Sequence, residues 1–295
     1  MKALITGASG QLGRALQATA PADVEFRGVS HAECDVADRA ALTRTLKDLR
    51  PALLINAAGF TRVDAAETQP AAAERANALG PAVLAACCRE AGTWLIHVST
   101  DYVFDGSQGH PYAADAAPNP LGVYGQTKRA GEIAVATALP AGSTIVRTSW
   151  VYGALGRNFL TTMLALMNAR SELRVVADQV GAPTHSDGLA RTLWDLAQRR
   201  APGYFHWCDS GVASWYDFAT AIAEEALPLK LIAAAPAIVP IRSAQYPTAA
   251  RRPPFSLLDK QRTEEALGRV APHWRAALRT VLRIMSPSTA PGAAR

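Results

Sequence analysis

Val98-Ser99-Thr100-Asp101-Tyr102-Val103-Phe104-Asp105-Gly106, followed after a proline-punctuated loop by Tyr124-Gly125-Gln126-Thr127-Lys128, is the stretch on which the reading of this chain turns. A buried strand delivers Ser99 and Thr100 to its own carboxyl end. A helix starting near Tyr124 puts Tyr124 and Lys128 on one face, because residues four apart lie one above the other. Hydroxyl, phenol and ammonium then converge on one small volume. Beside a nicotinamide ring, such a set can give a proton to a carbonyl oxygen while hydride arrives at its carbon.

The rest of the chain is arranged to supply that ring. Lys2 to Thr6 reads as a short strand, followed at once by Gly7-Ala8-Ser9-Gly10-Gln11-Leu12-Gly13 and an apolar helix. Glycines here allow a tight turn, close approach of backbone to a pyrophosphate and close helix packing, so Gly7, Ser9, Gly10, Gln11, Leu12 and Gly13 are candidate cofactor ligands. The spacing is GxxGxxG. A second strand, Glu25 to Val29, ends at Ser30 and His31, where an acid selecting a free ribose 2′-hydroxyl would otherwise stand. Ser30 is therefore a cofactor candidate compatible with a 2′-phosphate, and Asp35-Val36, in the turn before a helix over Asp38 to Arg50, is placed to border the adenine. The third strand, Leu53 to Asn56, opens into Ala57-Ala58-Gly59, small enough for the cofactor to lie against the backbone.

A long alanine-rich helix is expected from Pro70 to Ala91, a fourth strand from Trp94 to Ser99 with His97 as a core residue, and a surface loop from Asp101 to Asn119. A fifth strand, Ser143 to Thr148, precedes Trp150. Strands alternating with helices at this spacing imply an α/β fold: a Rossmann-type doubly wound parallel sheet with a smaller C-terminal substrate lobe. Such sheets bind ligands beyond the carboxyl ends of their strands, where Gly7, Ala57, Thr100 and Trp150 gather. Residues 1–150 form the expected dinucleotide-binding domain, to which 187–212 return. Residues 151–186 and 213–285 form the substrate lobe, with Ser214-Trp215-Tyr216-Asp217 as a capping box, and 286–295 read as a disordered tail.

Composition narrows the function classes. The 295 residues are 49% hydrophobic, enough for a sizeable core, and the net charge of +5 is spread without a dense basic run, which argues against a nucleic-acid surface. No apolar run is long enough to span a bilayer, so the cytoplasm is the expected location and no membrane partner is expected. The four cysteines show no metal spacing, and no metal site is expected.

These motifs resemble the extended short-chain dehydrogenases, and within them the dTDP-4-dehydrorhamnose reductase family. The resemblance runs from Lys2 to about Leu267. It rests on the glycine turn, Asn56-Ala57-Ala58 with Val63-Asp64-Ala65-Ala66-Glu67, Ser99 to Gly106, Tyr124 to Lys128, Arg147 to Gly153, Gly181 to Thr184 and Ser214-Trp215-Tyr216. Phe60 departs from the tyrosine or histidine usual in the family, and Phe255 and Leu257 replace polar residues of its C-terminal pattern. The resemblance implies a catalytic set of Thr100, Tyr124 and Lys128, with NADPH or NADH as cofactor. Tyr124 would protonate the C4 oxygen of a keto sugar, helped by the charge of Lys128, which would also hold the nicotinamide ribose. Thr100, Asp101, Tyr102, Val103, Trp150 and Arg252 are the implied contacts to a dTDP-sugar, Arg252 meeting its diphosphate. A place in dTDP-rhamnose and lipopolysaccharide synthesis follows. An epimerase or dehydratase of the same superfamily, another sugar-nucleotide 4-ketoreductase, and a non-catalytic cofactor-binding subunit are the competing readings. Tyr102, where the dehydratases carry glutamate, speaks against elimination of water. The oligomeric state is not fixed by the sequence; a homodimer is carried as an expectation.

Overall fold

The structure is a computed structural model that describes residues 1–286. The chain runs β1 (Lys2–Thr6), α1 (Gln11–Ala18), β2 (Glu25–Val29), α2 (Arg39–Leu49), β3 (Leu53–Asn56), α3 (Val63–Thr68), α4 (Pro70–Glu74), a π-helical turn (Arg75–Leu79), α5 (Gly80–Ala91) and β4 (Trp94–Thr100). After a 3₁₀ turn, Asp101–Val103, come α6 (Val123–Ala138), β5 (Ser143–Thr148), β6 (Val151–Tyr152), α7 (Phe159–Ala169) and β7 (Glu172–Val176). Then follow β8 (Val180–Gly181), β9 (Thr184–His185), α8 (Ser186–Arg199), β10 (Gly203–His206), β11 (Ala213–Ser214), α9 (Trp215–Ala226), β12 (Ala237–Ile241), α10 (Gln261–Leu267) and α11 (Trp274–Met285).

Six strands form one parallel sheet in the order β10-β5-β4-β3-β1-β2. The α/β doubly wound architecture is thus present. Its central strands are short apolar runs because both faces are covered: Ala3, Ile5 and Ile55 pack with Leu189, Leu193 and Trp194 of α8, while Leu4, Leu54 and Leu95 pack with Leu42, Leu84 and Val135. The chain reverses its winding direction between β1 and β3, and a crevice opens there beyond the strand ends. A second apolar cluster joins α7, α9 and α11 with β7 and β12, which pair parallel outside the main sheet.

Polar side chains cross the sheet interior as a ladder. Thr6 Oγ1 donates to Asn56 Oδ1 (2.8 Å), and Asn56 Nδ2 lies 3.0 Å from His97 Nδ1. His97 is fully buried and faces Lys128, both of which hold its imidazole well below the usual pKa, so it is a neutral core residue that accepts from Asn56.

Three expectations change. The helix over Pro70 to Ala91 is interrupted by the π turn, where Asn77 is buried among alanines. The segment from Asp101 to Asn119 is a surface loop only in part: Ser107 and Gly109 to Pro111 are exposed, but Val103, Phe104 and Tyr112 are buried, and Phe104 stacks on Tyr112 at 4.2 Å within a cluster closed by Leu257 and Leu258. The Asp105 carboxylate ties its tip by accepting from Ser107, Tyr112 and Asn119. Of the expected tail, Ser286 is the C-cap of α11, and 287–295 lie outside the described residues.

Candidate active site

A cavity of about 720 Å³ lies beyond the carboxyl ends of the strands. Its lining includes Ser9, Gly10, Gln11, Leu12, Ala57, Ala58, Gly59, Thr100, Asp101, Tyr102, Tyr124, Lys128, Trp150 and Arg252, so the structure brings together most of the sequence-predicted residues. Gly7 and Gly13 shape its floor. Gly7 has φ +71°, and a Cβ there would stand 2.6 Å from Ala58 N. One at Gly13 would stand 2.2 Å from Gly7 O, so neither position tolerates a side chain. The N-cap Gly10 offers no side-chain acceptor, and the first turn of α1 holds no acid. Its uncapped N–H groups and the helix dipole suit a diphosphate, and the glycine cradle leaves room for one: the residues present fit a dinucleotide. Arg14, which the sequence reading missed, also lines the cavity, its Nε donating to Ser9 O at 3.0 Å.

The adenine end is arranged differently from expectation. Ser30 donates through both N–H and Oγ to Glu33 Oε2 (2.7 and 2.6 Å), so a carboxylate folds onto the end of β2 where none was anticipated. These two bonds hold the Glu33 pKa down. Ser30 does not line the cavity. Asp35 is engaged by the Ala37 N–H (2.9 Å) and by Arg75 (2.7 Å), and Val36 is a core side chain wedged against Gly80. Ser-x-x-Glu spacing was the available signal for the Ser30–Glu33 pair.

Beside β3, Asn77 fixes the loop that follows it. Its Oδ1 accepts from Phe60 N–H (2.8 Å) and its Nδ2 donates to Phe60 O (3.0 Å). The π turn widens the helix enough to deliver this side chain, as such turns commonly do at functional sites. Phe60 itself lies beneath the Arg62 guanidinium, 4.8 Å from its ring centre.

The catalytic candidates meet at the end of β4. Lys128 Nζ donates to Val98 O at 2.6 Å, and burial lowers its pKa to about 8. Tyr124 is pushed up to about 12, chiefly by burial, with a hydrogen bond to Thr100 pulling the other way. The expected depression of Tyr124 by Lys128 is therefore not found, because desolvation of the phenolate dominates. A protonated phenol is nevertheless the state a proton donor requires. Thr100 Oγ1 lies 3.0 Å from Asp101 Oδ1 and accepts from Tyr102 N–H at 3.2 Å. Asp101, whose Oδ2 accepts from Ser256 Oγ at 2.6 Å, is raised to about 6 by burial. Two close contacts place α6. Gly125 packs so tightly that a Cβ would stand 2.2 Å from Tyr102 O, and Glu67 of α3 accepts from Val123 N–H at 2.9 Å, capping a helix whose N-cap, Gly122, has no side chain to do so.

On the opposite wall Trp150, at φ +45°, stacks on Trp215 with ring centres 3.6 Å apart, and Trp215 Nε1 donates to Gln179 Oε1. Such a backbone conformation is costly for a bulky residue and persists only where packing enforces it. Arg252 lines the cavity but is already paired bidentately with Asp64, at 3.1 and 2.7 Å. Val103, expected at the substrate, is instead fully buried with Phe104 and Leu257. Phe255 and Leu257 pack in that same cluster, which accounts for their apolar character. Among the described residues no group of three or more His, Cys, Asp or Glu side chains gathers as a metal site, and no helix is long and apolar enough to cross a membrane.

The chain is similar to known proteins along nearly its whole length. Residues 1–286 match the family described as RmlD substrate binding domain. A dTDP-4-dehydrorhamnose reductase of Burkholderia thailandensis is 40% identical over 96% of this chain and 98% of its own length. A dTDP-4-keto-6-deoxy-D-glucose reductase of Streptomyces niveus is 38% identical over 93% and 94%. The crystal structure of a dTDP-4-dehydrorhamnose reductase from Bacillus anthracis in complex with NADP is 32% identical and superposes with a TM-score of 0.91 over 96% of this chain and 99% of that one. Likeness of this order, sustained along the whole described chain in sequence and backbone alike, makes the protein a member of the dTDP-4-dehydrorhamnose reductase family.

Proposed function

We propose that this chain reduces the C4 keto group of dTDP-4-dehydro-L-rhamnose to give dTDP-L-rhamnose, using NADPH or NADH. The observation that carries the reading is the meeting of Thr100, Tyr124 and Lys128 at the mouth of a glycine-lined dinucleotide crevice. The glycine turn and the start of α1 hold the diphosphate, and Lys128, with two N–H groups left after its bond to Val98 O, holds the adjacent ribose hydroxyls. When bound, the reduced nicotinamide supplies the hydride. Tyr124 gives its phenolic proton to the C4 oxygen, a transfer favoured because the alkoxide forming there is a stronger base than the ketone. Thr100 directs a second hydrogen bond at the same oxygen. The stacked Trp150 and Trp215 present an apolar wall suited to the 6-methyl group of a deoxysugar. Residues 151–186 and 213–285 act as the substrate lobe. All four cysteines are unpaired, which fits a reducing cytoplasm.

The test is consumption of dTDP-4-dehydro-L-rhamnose with one NAD(P)H oxidised per sugar. Incubation with dTDP-glucose and NAD⁺ is the control: a 4-keto-6-deoxy product there would mean a dehydratase, which Tyr102, lacking a carboxylate, does not support. The Streptomyces niveus relative, named for a 4-keto-6-deoxy-D-glucose substrate, favours one alternative within the same chemistry, and proton NMR of the sugar product separates the two.

A further inference from the structure

We propose that Asp101 is a positioning residue that works as a neutral carboxylic acid: it donates its proton to Thr100 Oγ1, which frees the Thr100 hydroxyl to donate to the keto oxygen, while Ser256 holds the acid in place. The inference rests on the reading of Thr100 given under Proposed function. A hydroxyl has one proton to give and two lone pairs to fill. One lone pair of Thr100 Oγ1 accepts from Tyr102 N–H at 3.2 Å, and Asp101 Oδ1 lies 3.0 Å away. An ionised Asp101 can only accept, so it takes the Thr100 proton and leaves nothing for the substrate. A neutral Asp101 reverses that bond: Thr100 then accepts from Tyr102 and Asp101 and gives its own proton to the carbonyl oxygen. Tyr124 also shares a hydrogen bond with Thr100 in the free protein, and that bond gives way when both hydroxyls turn to the keto oxygen.

The surroundings favour it. Asp101 is buried, and burial raises its carboxyl to about 6 despite the hydrogen bonds from Ser256, Thr100 and the backbone N–H groups of Asp101 and Tyr102, which pull the other way. Ser256 Oγ donates to Oδ2 at 2.6 Å, marking that oxygen as the carbonyl-like one and leaving the proton for Oδ1, the side facing Thr100. The titratable groups around it are Tyr102 of the 3₁₀ turn, Tyr124 of α6 and Cys208 beyond β10. All three are raised by burial and stay neutral across the range in which Asp101 titrates.

The sign of the pH effect follows. Turnover is high where Asp101 is protonated and falls as pH rises through its pKa. Lys128, at about 8, adds a separate limb higher up. Asp101→Asn carries a permanent N–H donor toward Thr100 and a carbonyl toward Ser256, so its single-turnover rate loses the lower limb while exceeding that of Asp101→Ala by tenfold or more. Asp101→Ala loses about 10²-fold against wild type, the scale for removal of one donor to a developing oxyanion. Ser256→Ala removes a donor to the carboxylate and shifts the limb to higher pH. Infrared difference spectra of the free enzyme supply a readout independent of turnover. At about pH 5, wild type minus Asp101→Asn shows a protonated carboxyl band that disappears by about pH 8, and the band of Asp209, the other carboxyl raised by burial (to about 7), cancels. Asp101→Asn keeping the wild-type limb, or falling to the level of Asp101→Ala, overturns the proposal, as does an Asp101 found ionised at pH 5. If wild type oxidises no NAD(P)H with the keto sugar, the assigned reaction fails, and the infrared titration still decides the state of Asp101.

Discussion

Replacing Arg147 by methionine isolates the energetic weight of one ion pair behind the active site. Glu132 of α6 is fully buried, one turn beyond Lys128, and accepts from Arg147 Nε and Nη2 at 2.8 and 2.9 Å. Arg147 on β5 is also buried, lies over the rings of Phe104 and Tyr204, and donates to Ala114 O. Methionine fills a similar volume, so packing is largely kept, but the Glu132 charge loses its bidentate partner. Breaking a buried pair in this way costs about 3–5 kcal/mol. Arg129, 2.9 Å from Glu132 and partly exposed, compensates in part and points to the lower end. With an m-value of about 3 kcal/mol per M for a chain of this size, the urea midpoint should fall by about 1 M. Removing the charge as well, in Glu132→Gln with Arg147→Met, should recover much of the loss, because the buried anion and not the missing contact carries the penalty. Equilibrium urea unfolding followed by far-UV circular dichroism gives all four corners of the cycle. A single Arg147→Met within 1 kcal/mol of wild type, or a double variant less stable than the single, refutes the reasoning.

Tyr124→Phe should lower turnover by about 10²- to 10⁴-fold, the span for a positioned acid, while NADPH affinity by fluorescence titration stays within about twofold. Glu33→Gln removes the carboxylate on Ser30 and should raise the NADPH to NADH ratio of kcat/KM, by no more than about fivefold because the group is exposed and screened by solvent; steady-state rates with both cofactors read it directly. Glu67→Ala uncaps α6 and should cost about 1–2 kcal/mol in thermal or urea unfolding, with Glu67→Gln recovering part through its remaining acceptor.

The sheet and the Tyr124–Lys128 pair were legible in the sequence because both follow from short-range periodicity. Leu53 to Asn56 and Ser143 to Thr148 are apolar runs of strand length, and a four-residue step fixes two side chains on one helix face whatever surrounds them. What was not legible depends on partners far along the chain. Phe104 and Tyr112 sit in a segment with loop composition and are buried by residues distant in sequence, among them Ala182, Cys208, Leu257 and Leu258. Ser256 meets Asp101 across 155 positions, with no local signal at either end. The Lys128 and Tyr124 titrations likewise follow from burial, a property of the assembled fold. Asn77 stood out in principle as a lone amide in an alanine run, but its partner at Phe60 lies on another loop.

The π turn at Arg75–Leu79 makes chain length, more than residue identity, the constrained quantity in this part of the protein. Such a turn accommodates one residue beyond the α-helical repeat. Deleting any one residue here lets the helix close into a regular spiral, at a rotation of about 100° per residue for everything on one side of the cut. Asn77 then leaves the Phe60 loop, or the α5 face that packs on α2 and α6 turns away from them. Single substitutions at exposed Ala72, just ahead of the turn, leave that geometry alone. Insertion and deletion scanning across residues 70–91 would therefore be destabilising throughout, whereas substitutions at exposed Ala71 and Ala72 would be tolerated.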